Sequence, residues 1–301
     1  MFTEVAEYAN SIKFEMALAD YFLEHTIYEA EGAAMDVYQE CKESAIPFAF
    51  EDKRKILIEA TNQTLKDKFL AFFKSIKVKI EKVVFMIIKT LRRFCNDSAN
   101  KFRKLMGKDE SVVIHTRSID IPMVFKYIDG LISKLTATME ISKPIFEGFK
   151  EISETKTSTP YMLTGSANEV YTRYFSGSIG FQTLDEVRNS KAIAEQPFNT
   201  ARLATTLTVK EIRDYSAKIT STIQNCEVMR TEYEKYRMSA NNLAEDIANR
   251  IEVSDVIKSV TVFTSTVSEI IISLTKAIAF TCAELEKRIQ QLVTEAEKAL
   301  K

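Results

Sequence analysis

Two histidines and four cysteines are the side chains of this 301-residue chain best suited to hold a metal or to act as nucleophiles. His25 and His115 stand 90 residues apart, in neither an HExxH nor an HxxxH spacing. Cys41, Cys95, Cys226 and Cys282 are each separated by more than 50 residues, with no CxxC and no histidine beside them. Zinc sites and disulfide frameworks use closer spacing, so these read as buried thiols of a reducing compartment. A lone histidine is ordinarily a surface or structural residue. No GxSxG elbow is present for serine hydrolysis. Gly177-Ser178-Ile179-Gly180 is the nearest approach to a phosphate cradle, but no Lys-Ser/Thr follows it and a turn accounts for it. The carboxylates read as solvated helix faces. The expectation is a protein that is not an enzyme, with no cofactor, no metal and no small-molecule substrate.

Charge distribution is more informative. Residues 1–51 carry 11 acidic and 2 basic side chains, and residues 52–108 carry 16 basic and 5 acidic, so a formal net charge of −1 hides a strong polarity. The basic half centres on LKDKFLAFFKSIKVKIEKVVFMIIKTLRRF, residues 65–94. Leu65, Phe69, Phe72, Ile76, Ile80, Val83, Ile87, Leu91 and Phe94 recur at three and four residues, a stripe about 100° wide on a helix. Opposite lie Lys68, Lys74, Lys79, Lys82, Lys89, Arg92 and Arg93, with Lys77 among them and Lys101, Arg103 and Lys104 beyond. Three readings compete for these residues. The stripe packs in the core while the cations meet solvent or the acidic N-terminal helices. Alternatively, the segment lies on an anionic membrane, lysines at the headgroups. In the third, the cations neutralise phosphates of a nucleic acid or other polyanion, without base readout.

The elements that carry these residues follow from where helix breakers fall. Seven Gly and five Pro are too few for a turn-rich β architecture or a dinucleotide fold. None lies between Pro47 and Gly107, and none after Pro197. The chain is therefore expected to be mostly α: an elongated helical bundle with a small central β element and a long C-terminal antiparallel helical hairpin. Three regions are expected. Residues 1–110 hold acidic helices over 3–43 and then the basic amphipathic helix from about Glu51. Residues 111–200 are mixed, with a strand in SVVIHTRSIDI, a partner strand in EVYTRYF (169–175), a helix from Pro122 to about Glu140 and a shorter one from Pro144. Residues 201–301 form the hairpin, one helix running through Ile212 to Ile251 and a second from an N-cap at Ser254, each sheltering its stripe on the other. Tyr161, Tyr171 and Tyr174, near the glycines, either anchor a loop or display it to a partner.

The acidic helical start, the Lys/Phe/Ile-rich helix and the Thr/Ser-rich helical remainder together resemble virion structural proteins of tailed bacteriophages. That resemblance implies a non-enzymatic particle component inside or attached to the capsid or tail, with protein partners and self-association, located in the virion or host cytoplasm. No signal peptide is read at MFTEVAEYANSIKFEMALAD. No spanning segment is expected either: the run Val83–Ile88 is six residues against about 20 needed, and Ile270–Phe280 is broken by Lys276. A membrane-active helical protein and a non-specific polyanion binder remain the alternatives.

Overall fold

The computed structural model describes residues 51–117, 120–155, 166–199, 204–248 and 254–301. His25, Cys41, Tyr161 and the acidic helices expected over 3–43 lie outside the described residues, as do the side chains of residues 51–69, 72, 76, 79 and 115. Four long helices dominate: α1 (Glu51–Arg103), α2 (Ile121–Thr155), α8 (Ser216–Ala248) and α9 (Ser254–Ala299). Between α2 and α8 come four short helices, α3 (Ala167–Tyr174), α4 (Ser176–Ile179), α5 (Leu184–Arg188) and α6 (Ser190–Asn199), then one more, α7 (Val209–Asp214). Strands β1 (Val113–Arg117) and β2 (Ala204–Thr208) form the sheet among the described residues, antiparallel, with His115 opposite Thr206.

Cross-helix pairs give the directions. Glu81–Arg237, Arg92–Glu227 and Phe102–Tyr215 run α8 against α1. Lys143–Glu232 and Lys150–Asp246 run α2 alongside α8. Lys101–Glu286, with Thr264 and Ile80 lining one groove, runs α9 alongside α1. The C-terminal helices α8 and α9 are thus antiparallel, as the sequence indicates. Their shelter, however, comes from elsewhere. Each packs extensively on both α1 and α2, whereas α8 and α9 make almost no direct contact and sit diagonally across the bundle. The reason lies in α9, whose residues 259–278 are buried on nearly every side. One neighbour cannot cover a helix that is apolar all round. α1, α2 and the crossover helices α3, α5 and α6 surround it instead. Buried residues from Phe73 to Ala296 accordingly form one contiguous core.

Three local expectations are corrected. EVYTRYF is helical: the Ser166 side chain accepts from the Glu169 N–H to cap α3, and Val170, Tyr171 and Phe175 then fall on one buried face at a helical repeat. The strand that pairs with β1 is instead ATTLT, rich in Thr. Helix α2 runs through Pro144 without stopping. Pro144 is exposed, and the buried stripe continues on both sides of it, from Leu135 and Met139 to Ile145, Phe146 and Phe149. That packing offsets the roughly 3 kcal/mol that an interior proline costs. The helix expected over 212–251 breaks at Tyr215: α7 begins at a capping box in which Thr208 and Glu211 satisfy each other's backbone N–H, and α8 starts afresh at Ser216. Gly180, at φ 73°, ends α4 as a left-handed cap, so the GSIG run closes a single helical turn.

Candidate functional site

Helix α1 presents its predicted stripe inward. Ile80, Val83, Ile87, Leu91 and Phe94 are buried in the core, joined by Val84, Ile88 and Cys95. The apolar face that a membrane-surface helix would insert into lipid is therefore occupied by α8 and α9. Leu65, Phe69, Phe72 and Ile76, with Lys68 and Lys79, have side chains outside the described residues.

The outward face of the same helix is cationic. Lys74, Val78, Lys82, Phe85, Lys89, Arg93, Asn96, Asn100 and Arg103 are all exposed and occupy about 100° of the helix circumference. No carboxylate lies among them. From Lys74 to Arg103 the stripe runs about 44 Å at 1.5 Å per residue, and Lys104 continues it. Phe85, 44% exposed, rests its edge on the ring of Tyr233 of α8, with centroids 6.3 Å apart. The remaining basic residues turn sideways into helix–helix seams: Arg92 donates to Glu227, and Lys101 Nζ lies 2.9 Å from Glu286 Oε1. Arg93 also pairs with Asp97 on its own helix, at 3.8 Å. Lys77 is half-buried.

Three cysteines distant in sequence converge: Cys95 on α1, Cys226 on α8 and Cys282 on α9 all lie in the core as free thiols. Burial pushes Cys95 and Cys226 up to about 12, helped at Cys95 by the neighbouring Cys226, and drives Cys282 well above the ordinary thiol range, with Cys95 and Cys226 adding to it. A thiolate is therefore strongly disfavoured at neutral pH, which makes these groups poor nucleophiles. Among the described residues no group of three His, Cys, Asp or Glu side chains is placed to hold a metal ion. Sequence spacing could not reveal this convergence, because it depends on which helices become neighbours.

The crossover is tied down by polar groups as well as apolar ones. Glu269, largely buried on α9, accepts from Arg188 of α5 through both carboxylate oxygens, at 2.5 and 3.1 Å. Tyr171 donates to the Phe181 carbonyl at 2.9 Å, and Tyr174 packs its ring on Phe263. Both tyrosines are therefore anchors, not a displayed loop. Helix α9 also holds a window apolar and long enough to cross a membrane by composition, with mean hydropathy 1.4. That differs from the expectation read from the run broken at Lys276, yet 78% of the window is buried within the bundle. Comparison with protein-family models, curated proteins and solved structures finds no match.

Proposed function

We propose that this chain is a non-enzymatic structural or assembly protein, a component of a larger particle such as a bacteriophage virion, joined to its partners by helix packing and charge complementarity. The observation that carries the reading is the one-signed stripe on α1. Several other cations pair with carboxylates of a different element, as in Arg92–Glu227, Lys143–Glu232 and Arg188–Glu269, and Arg213 of α7 pairs with Glu110 in the turn before β1. A face about 44 Å long whose exposed charged residues are all cations suits an extended anionic surface. Long packed helices supply rigidity across that length.

Light scattering at about 50 mM and about 500 mM salt tests this, because screening at the higher salt shortens the reach of exposed charge to a few ångströms. An assembly that forms at low salt, dissociates at high salt and fails to form in K82E/K89E/R93E supports the proposal. A monomer under every condition, or an assembly indifferent to salt and to the triple substitution, overturns it. The same stripe favours nucleic acid as a second reading. Six cations, Lys74, Lys82, Lys89, Arg93, Arg103 and Lys104, neutralising six phosphates would give a slope near −5 in log affinity against log salt. Retardation of duplex DNA with that slope would assign the stripe to a nucleic acid.

A further inference from the structure

Helix α2 exposes a charged face of the opposite sign. Glu140, Pro144, Glu147 and Glu151 are all exposed, fall within about 60° of its circumference and span about 17 Å. The neighbouring lysines turn aside: Lys143 pairs with Glu232 and Lys150 with Asp246, both on α8. The exposed charges on this stretch of the face are therefore carboxylates.

The bundle fixes where the face points. Helices α1 and α2 each pack on α8 and α9 but make almost no contact with one another, so they too sit diagonally. Their solvent faces consequently lie on opposite sides of the molecule. The ion pairs fix the height as well. Glu81 pairs with Arg237, which stands between Glu232 and Asp246, the partners of Lys143 and Lys150. Residues 140–151 of α2 are thus level with residues 74–89 of α1. Because the two helices run antiparallel, Glu151 stands near the height of Lys74 and Glu140 near that of Lys89.

We propose that the anionic surface met by the α1 stripe is this α2 face on a second copy of the chain, an inference that rests on the assembly reading above. A copy displaced sideways, without rotation, brings its α2 face against the α1 face of its neighbour. Lys74, Lys82 and Lys89 then stand opposite Glu151, Glu147 and Glu140 at matched heights. Val78 and Phe85, exposed among the lysines, meet Pro144 among the carboxylates. Apolar contact at the centre with complementary charge around it is how specific interfaces are built. Toward the other end exposed Lys126 faces Arg103, and the like charges confine close contact to this half. The two faces differ and lie on opposite sides, so every copy leaves one face of each sign open. Such a heterologous contact propagates as a row instead of closing as a dimer.

Sedimentation velocity of the full-length protein tests this with two charge reversals, K74E/K82E/K89E and E140K/E147K/E151K. At about 50 mM salt the wild type should form species larger than a dimer, which dissociate at about 500 mM as screening strengthens. Each reversal alone sets like charges across the joint and should raise the concentration needed for assembly by about tenfold or more. An equimolar mixture of the two variants restores opposite charges at every joint and should assemble as the wild type does. Far-UV circular dichroism checks that both are folded. Should a reversal fail to fold, E140Q/E147Q/E151Q should still weaken assembly, and wild-type behaviour of that variant overturns the proposal. Assembly unaltered in E140K/E147K/E151K, or a mixture of folded variants that stays monomeric, overturns this inference and leaves the assembly reading standing. A wild type monomeric at both salts, the result expected if the acidic segment 1–50 covers the stripe, overturns the two together.

Discussion

Phe263 is where the crossover and the four-helix core meet, and replacing it gives the sharpest test of the packing described above. Its fully buried ring touches four others: Phe146 at 5.4 Å and 86°, Phe149 at 5.8 Å and 63°, Tyr174 at 6.0 Å and 87°, and Phe175 at 5.8 Å in a stacked arrangement. Two of these rings belong to α2, and two belong to the crossover around α3. Phe263→Ala removes a large buried side chain and leaves a cavity that four rigid rings cannot readily collapse into, so the loss should lie at the upper end of the range for such changes, about 4–5 kcal/mol. Phe263→Leu keeps most of the apolar area and loses the ring–ring geometry, which should cost about 1–2 kcal/mol. In urea, with a slope near 3 kcal/mol/M, the alanine variant's midpoint should fall by about 1.5 M. Because Tyr174 and Phe175 rest on this ring, residues 166–199 should also become open to limited proteolysis before the bundle unfolds. A loss below about 1.5 kcal/mol for the alanine variant, or leucine proving as damaging as alanine, would refute the idea that this ring joins the two layers.

Three further outcomes follow from the same packing. In a C41S background the three core thiols should react with Ellman's reagent only as the protein unfolds, since a group near 12 is thiolate at about one part in 10⁴ at pH 8; rapid stoichiometric labelling of the native protein would contradict their burial. Hydrogen bonds from Lys143, then Lys235, hold Glu232 below the usual carboxylate range, so its contribution is fully present above the unfolded carboxyl value of about 4.3 and is lost as pH falls through the lower folded value. The stability gap between wild type and Glu232→Gln should therefore be constant near neutrality and close below about pH 4; a gap that widened in acid would reverse the sign. Gly180→Ala should cost about 1–2 kcal/mol, because the new Cβ would sit at φ 73° and 3.0 Å from Lys134 Nζ, whereas Gly177→Ala meets open space and should be neutral or slightly stabilising in thermal melts.

How much was legible in the sequence divides cleanly along the range of the forces involved. Helix periodicity is local: the positions Val260, Phe263, Val267, Ile270, Leu274, Ile278, Leu285, Ile289 and Leu292 stand out at 3.6-residue spacing, and every one is buried. Ser254 likewise marks where α9 starts, and Val113–Arg117 declares itself a strand through β-branched residues. The inward face of α1 and its cationic reverse are visible for the same reason. Periodicity states which side of a helix must be covered, but not what covers it. The diagonal placement of α8 and α9, the choice of Ala204–Thr208 over Glu169–Phe175 as the second strand, and the survival of α2 through Pro144 all depend on surface supplied by segments distant in the chain. So does the meeting of Cys95, Cys226 and Cys282. Residue order determined the helices, their polarity and their charge; tertiary packing alone decided their partners, because burial of apolar surface is non-directional and is satisfied by whichever neighbour fits.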